Sequence, residues 1–447
     1  MAQWRIWIDT GGTFTDCLAL SPEGRRVQVK VLSSSALRAT AAEIEVEPAA
    51  AGGQPVRDAF VLRYEDSWGL PVGFANDADL HWLGRGEGEG GRVVASKPGE
   101  LTVRGSAPTA SRGRAFEMRF DEESPVLAAR LATGAASVSE LPPLELRLAT
   151  TKGTNALLER NGAENALLVT RGFADLLWIG DQRRPDIFAR HIERPEPLAS
   201  HVVEIDARLD ARGEVIEELD LEALGPTLVE VASTYQSVGI AFLHSHRHGG
   251  HEEAVAARLR ELGVPFLSIG ASLSPTEGYL ARMRTAAVDA YLQPVIRRYL
   301  DRIGNAVGGR RLRVMTSAGG LVSAERYRAK DSLLSGPAGG VVGAATAARR
   351  LGFERIVAFD MGGTSTDVSR FDGDYEYRFE HRVGDAEVAA PSLAIETVAA
   401  GGGSICRIEG QQLKVGPQSA GAHPGPACYG AGGPLTLTDV NLLLGRL

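Results

Sequence analysis

A chain of 447 residues is too long for one hydrophobic core, so two or three domains are expected. Apolar residues at 44% and charged residues at 23% are the balance of a soluble globular protein. The net charge of −8, with acids and bases interspersed and no basic stripe, argues against nucleic acid as a partner, and no apolar run reaches the length of a membrane span. The three cysteines (Cys17, Cys406 and Cys428) have no close pairing, and the N-terminus lacks a signal peptide, so a reducing cytoplasm is expected.

The chain opens on an apolar run, Trp4 to Ile8, followed by Asp9-Thr10-Gly11-Gly12-Thr13-Phe14-Thr15-Asp16 and a second extended run, Cys17 to Leu20. The pattern predicts strand, Gly-Gly turn and strand, with Arg26 to Leu32 extending it to a meander. Two glycines remove side-chain bulk and permit positive φ, so backbone N–H groups can converge on a phosphate. The threonine hydroxyls suit phosphate oxygens. The flanking aspartates repel phosphate directly but suit Mg2+, through water, or the orientation of an attacking oxygen.

From about Ala41 to Ala136 the chain is rich in Gly, Pro and Ala, with short extended runs at Ala59 to Arg63, Arg92 to Ala95 and Phe116 to Phe120. This predicts a small β-rich insertion without catalytic duty. Leu144 to Ala149 reads as a strand and Lys152-Gly153-Thr154-Asn155 as the loop at its carboxyl end, where open α/β sheets place ligands. Lys152 is either a neutraliser of substrate or phosphate charge or a solvated lysine. Arg183 and Arg184 suit a carboxylate or phosphate, although solvation is the commoner fate of such a pair.

Val238 to Leu243 reads as a buried strand that runs into His244, His246, His248 and His251. Four histidines in eight residues raise a metal site; the favoured reading is a strand-to-helix loop. Ser274-Pro275 predicts a helix start. Ser335-Gly336-Pro337-Ala338-Gly339-Gly340 leads into a small-residue helix. That loop suits an anion, close packing, or both.

After Arg355 to Phe359 the opening octamer recurs as Asp360-Met361-Gly362-Gly363-Thr364-Ser365-Thr366-Asp367, identical at six of eight positions. Two unrelated turns would not share acids at both ends. Val368 to Phe371 and Glu376 to Arg382 are expected to complete a second meander. Gly401-Gly402-Gly403-Ser404 follows. His423 and Cys428 raise a nucleophile with its base, a reading disfavoured by the rigid Pro424-Gly425-Pro426 between them.

At the two octamers the chain resembles the sugar kinase, Hsp70 and actin superfamily. There, hairpins from two duplicated ribonuclease-H-like domains close on the phosphates of ATP from both sides. Gly401 to Ser404 sits where that superfamily has its adenosine loop. More narrowly, Ala149-Thr150-Thr151-Lys152-Gly153-Thr154-Asn155 to Arg160, Leu168 to Phe173, Leu334 to Val341 and Ser419 to Gly430 look like motifs of the hydantoinase A and 5-oxoprolinase family, in the same order. The resemblance covers about residues 1–35 and 146–447. It departs at Ala281-Arg282-Met283, where the family usually reads E-R-T, so a role tied to that acid is in doubt.

The resemblance implies an α/β fold of duplicated ribonuclease-H-like domains with a small β-rich insertion. Residues 1–40 and 141–200 form the first domain, 41–140 the insertion, and 201–447 a hydantoinase A domain that stops inside the family's A component. It implies an enzyme that uses ATP and Mg2+ to phosphorylate the carbonyl oxygen of a cyclic amide such as 5-oxoproline or a hydantoin. A B component, as a separate chain or a missing C-terminal part, then opens the ring, and a homo-oligomer is expected. The implied catalytic residues are Asp9, Asp360 and Lys152. Gly11, Gly12, Thr13, Thr15, Gly362, Gly363, Thr364, Thr366, Gly401, Gly402 and Gly403 would hold the nucleotide. Asp9, Asp360, Asp16 and Asp367 would hold Mg2+, the last two directly or from behind the first two. The rivals are the A component of an acetone or acetophenone carboxylase and a non-catalytic nucleotide switch.

Overall fold

The structure, a computed structural model, describes residues 3–46, 59–83, 88–107, 113–183, 188–191, 194–308, 311–421, 424–429 and 432–447. Its first sheet has six strands in the order Leu321–Ser323, Leu312–Met315, Leu144–Thr150, Trp4–Thr10, Phe14–Leu20 and Arg26–Leu32. The last three make an antiparallel meander, while Trp4–Thr10, Leu144–Thr150 and Leu312–Met315 are parallel neighbours. Parallel neighbours need long crossovers, and two large excursions supply them.

The first excursion closes a six-stranded barrel from Ala36–Val46, Ala59–Tyr64, Glu100–Arg104, Gly88–Lys97, Asp79–Trp82 and Ala115–Arg119. Alternate residues fill it: Phe60, Leu62, Leu80, Trp82, Leu101, Val103, Phe116 and Met118 are all buried. A helix not expected from the β-rich pattern, Ser124–Thr133, then packs on the meander. Its Arg130 is buried between the barrel and the sheet, bonded to Glu122 and to the carbonyl of Phe74, with the guanidinium 4.2 Å from the Phe74 ring centroid. Ser124 lies 2.8 Å from the Thr15 hydroxyl, so this helix braces the first octamer from behind. The last part of the stretch from Ala41 to Ala136 thus supports the first turn.

The second excursion carries a four-stranded parallel sheet in the order His201–Ile205, Asn165–Thr170, Ser237–Ala241 and Phe266–Ile269. Ala166 and Leu168 join one core with Val255 and Leu259. Leu167 and Val169 join another with Met283 and Ala286. A sheet covered on both faces explains why this strand reads as an unbroken apolar run.

Helix Tyr279–Val307 links the two sheets and, at 29 residues, is about 43 Å long. It starts at Tyr279 and not at Ser274-Pro275. The reason is Arg282, which is fully buried and donates to the carbonyls of Thr276 (2.7 Å), Glu277 (2.9 Å) and Phe242 (3.0 Å). Those bonds hold residues 274–278 out of the helical path.

Strands Arg355–Met361 and Thr366–Asp372 form the second hairpin. Its main third partner is Ile395–Val398, with only Asp374–Tyr375 adding on from the expected neighbouring segment. The expected strand from Glu376 to Arg382 is replaced by two-residue and three-residue pieces that pair elsewhere. Among the described residues, Arg355–Met361 has a strand partner on one side only, and its Val357, Phe359 and Met361 are exposed.

Candidate functional site

The two octamers fold alike. Thr10 pairs with Thr15 and Met361 with Thr366, and each turn closes with one 2.9 Å bond, Gly11 N–H to the Phe14 carbonyl and Gly362 N–H to the Ser365 carbonyl. Asp9 lies opposite Asp16 and Asp360 opposite Asp367, so each hairpin carries a cross-strand pair of acids on one face. None of Gly11, Gly12, Gly362 and Gly363 has positive φ. Freedom of φ is therefore not what these positions use; what remains is the space left by a missing side chain.

Period two decides which threonines face out. Thr15 has the parity of Cys17 and Ala19 and is fully buried, its hydroxyl 2.8 Å from that of Ser124 and 3.1 Å from that of Ser33. Thr366 is likewise buried and donates to the Ala400 carbonyl. Both were expected to touch phosphate, and both are engaged in the interior instead. Thr13 and Thr364 sit in the turns, exposed, with no hydroxyl hydrogen bond among the described residues. Ser33, which carries no motif in the sequence, braces the first turn by donating to the Gly11 carbonyl at 2.8 Å.

The helix Ser335–Arg350 brings the hairpins together. A Cβ on Gly336 would stand 3.7 Å from an Asp9 carboxylate oxygen, and one on Gly340 would stand 3.4 Å from an Asp360 carboxylate oxygen. Residues four apart share a helix face, so a bare glycine strip passes between the two acids. Ser335 fixes the start of the helix, since its hydroxyl donates to the Thr150 carbonyl (2.9 Å) and accepts from the Thr150 N–H (3.1 Å). The close packing expected of this segment is seen at Gly336 and Gly339, against Thr151 and Ala149.

Asp9 keeps contact with solvent, yet enough protein crowds it to push its carboxyl up from about 3.8 to about 6. Burial is the main cause, repulsion from Asp16 and then Asp360 adds to it, and Lys30 opposes it. Asp16 is already paired with Lys30 at 2.7 Å. Burial also pushes Asp367 up, helped by Asp360 and opposed by the Thr397 hydroxyl, which donates to it at 2.6 Å.

Among the described residues no three His, Cys, Asp or Glu side chains converge on one point. A cage is not what Mg2+ needs, since it is commonly held by one or two carboxylates plus water and phosphate oxygens. The hard, mutually repelling oxygens of Asp9 and Asp360 fit that role, whereas Asp16 and Asp367 already have partners. This electrostatics predicts a pH signature. The folded chain holds the Asp9 proton more tightly than the unfolded chain, so the stability this group lends is present below about pH 4 and is lost as pH rises through about 6. Asp9→Asn is expected to match wild type in Tm at pH 4 and to exceed it at pH 7.5, as read by thermal melts without Mg2+.

The loop Gly401–Gly403, expected to contact adenosine, packs against the second turn. Gly402 N–H donates to the Gly362 carbonyl (2.9 Å), Gly403 N–H to the Gly363 carbonyl (2.6 Å), and Gly401 N–H to the Ser404 hydroxyl (2.9 Å). Two of these donors support the second turn, and the third closes the loop on Ser404. A Cβ on Gly401 would lie 2.7 Å from backbone atoms of Gly363 and Thr364, which is why glycine stands there.

A cavity of about 370 Å³ adjoins the first turn, lined by Gly11, Gly12, Ser33, Lys152, Asn155 and Tyr299 among others. Lys152 is exposed and forms no ion pair among the described residues; its Nζ is 5.8 Å from the Tyr299 ring centroid. Asn155 stands over the turn, its Nδ2 3.5 Å from where a Gly12 Cβ would be.

Other candidates fall elsewhere. His246 Nδ1 is 3.3 Å from the Arg282 guanidinium, a poor neighbour for a metal cation. Arg183 pairs with Asp181 and lines a separate cavity of about 470 Å³, while Arg184 lies outside the described residues. Cys428 is near Asp439, which raises its thiol pKa and so works against a nucleophile; His423 lies outside the described residues.

Two acid-flanked Gly-Gly hairpins meeting across a glycine-lined helix belong to a mixed α/β fold that solved structures share. The ATP-dependent caprolactamase of Pseudomonas jessenii superposes on 99% of this chain and 55% of its own, with TM-score 0.64 and 26% identity. Nucleotide-free acetone carboxylase superposes on 99% of this chain and 55% of its own, with TM-score 0.60 and 21% identity, a likeness of fold alone. The chain belongs to the hydantoinase/oxoprolinase family: residues 282–447 match hydantoinase/oxoprolinase, and residues 5–51 and 127–263 match its N-terminal region. The 5-oxoprolinase PfmaA of Pestalotiopsis fici is 43% identical over 338 residues, 67% of this chain and 26% of that protein. The chain thus spans about a quarter of the length of the 5-oxoprolinases it matches.

Proposed function

We propose that the chain binds Mg·ATP between its two hairpins and phosphorylates the carbonyl oxygen of a cyclic amide. The observation that carries this is the approach of Asp9 and Asp360 to one glycine-lined helix face, with the exposed Gly-Gly-Thr turns alongside. The relatives named 5-oxoprolinase and the similar ATP-dependent caprolactamase support the choice of substrate class. We read the first meander with its parallel neighbours as one ribonuclease-H-like unit and the second hairpin as the start of its duplicate. The reading places the protein in the cytoplasm, where ATP is supplied.

An amide is a poor electrophile, and its oxygen a poor leaving group, until that oxygen is phosphorylated. The carbonyl oxygen forms a bond to the γ-phosphorus, the bond from that phosphorus to the β,γ-bridging oxygen breaks, and ADP departs. The ring nitrogen donates its lone pair to make C=N and keeps its proton. Mg2+ supplies charge neutralisation on the phosphates when bound, and Asp9 and Asp360 are the residues to hold it. The turns position the phosphates through backbone N–H groups and the hydroxyls of Thr13 and Thr364. Positioning and neutralisation are most of what such a transfer needs.

Ring opening further requires a base or metal at the attacking water. We assign that step to a B-type component, since a relative from Pseudomonas jessenii, 34% identical over 321 residues, is named caprolactamase subunit alpha. The test is to incubate the chain with Mg2+ and ATP, with 5-oxoproline, ε-caprolactam, or acetone plus bicarbonate, and to assay ADP and ring-opened product separately. A cyclic amide is expected to raise ADP release several-fold while opened product stays far below about one turnover per second. ADP release indifferent to any cyclic amide would overturn the reading, and rapid ring opening would return the hydrolytic step to this chain.

A further inference from the structure

The cavity beside the first turn has a chemistry that the phosphate reading leaves unused. Gly11 and Gly12 form one edge, so a ligand there would sit next to the phosphates. The larger cavity at Arg183 and Arg284 is not an alternative for the acceptor. Arg284 and Tyr299 lie on one helix, and their separation along it is about 22 Å at 1.5 Å per residue. Reacting atoms must approach to roughly 3–3.5 Å.

The charges on the cavity wall are unequal in their freedom. Glu123 is balanced by Arg302 at 3.5 Å. Glu159 takes a bond from Asn161 Nδ2 at 3.1 Å and keeps its other carboxylate oxygen for a donor. Lys152 is the one cation on this wall, and neither it nor Glu159 has an ion-pair partner among the described residues. The Thr10 and Tyr299 hydroxyls are buried behind the wall, within reach of one another and of Thr150. A volume of about 370 Å³ suits a small ring, being near the low end of the roughly 300–1,000 Å³ of ligand pockets.

We propose that this cavity seats the cyclic amide, and that Lys152 makes it selective for a ring carrying a carboxylate. The inference rests on the phosphoryl-transfer reading above. The ring N–H donates to Glu159, the carboxylate meets the Lys152 ammonium, and the carbonyl oxygen points toward the Gly11-Gly12 turn. Lys152 thereby acts on substrate choice and not on the nucleotide. A neutral lactam of the same size lacks the one group that Lys152 needs.

The experiment is calorimetry on the full chain saturated with Mg2+ and a non-hydrolysable ATP analogue, titrated with 5-oxoproline or with 2-pyrrolidinone, the same ring without the carboxylate. Wild type is expected to bind 5-oxoproline at least tenfold tighter. Lys152→Met is expected to remove that preference and Lys152→Arg to keep it, with the analogue bound equally well by all three. Wild type that binds the analogue but shows no preference overturns the inference and leaves the phosphoryl-transfer reading standing. Lys152→Met that loses the analogue while keeping the preference places Lys152 on the nucleotide and also overturns it. Failure of wild type to bind the analogue removes both readings.

Discussion

Asp360→Ala is expected to weaken Mg·ATP binding by about 100-fold or more, since even the outer partners of a metal commonly contribute 10–100-fold to its affinity. The same substitution is expected to make the ligand-free chain slightly more stable at neutral pH. Asp360 is one of the charges that raise the Asp9 carboxyl, so its removal relieves a repulsion. Opposite signs for ligand affinity and ligand-free stability mark a charge placed for a ligand. A residue that merely supported the hairpin would lower both. Calorimetry with ATP at several Mg2+ concentrations, beside thermal melts of the ligand-free protein, measures the two quantities. Unchanged affinity with unchanged Mg2+ dependence would remove Asp360 from the site.

A pair of glycine substitutions separates architecture from binding. Gly401→Ala puts a Cβ 2.7 Å from the backbone of Gly363 and Thr364, where no flexible side chain can yield. Overpacking of this kind costs about 1–3 kcal/mol, so Tm should fall by several degrees and nucleotide affinity with it, because the second turn is displaced. Gly363→Ala meets nothing within 4 Å and needs no positive φ. It should leave Tm within a degree or two and still lower ATP affinity at least tenfold, because a phosphate must approach that backbone closely. If Gly363→Ala binds ATP as wild type does, the second turn is not a phosphate cradle.

Much of the two hairpins is legible in the sequence, because each octamer is local: acids, glycines and flanking apolar runs specify the turn within about fifteen residues. The burial of Thr15 is legible too, in its shared parity with Cys17 and Ala19, but the pull of threonine toward phosphate conceals it. Gly336 and Gly340, four apart, signal a bare helix face without saying what lies against it. The backbone that Gly401 meets and the wall that Lys152 shares with Tyr299 depend on long-range packing, which no spacing in the sequence encodes. The helix Ser124–Thr133 is hidden by the Gly-rich composition before it, and its apolar residues are buried by both the sheet and the barrel.

The strand Arg355–Met361 has a bearing on how the protein behaves in a tube. Among the described residues one of its edges is open, and Val357, Phe359 and Met361 stand 70%, 68% and 44% exposed along it. A bare strand edge flanked by apolar side chains is a template for another strand, and natural proteins normally blunt such edges with charge or cover. Preparations of this chain should therefore turn cloudy with concentration and warming, in a way that added salt makes worse. A single lysine at position 357 should lengthen their shelf life without touching either turn.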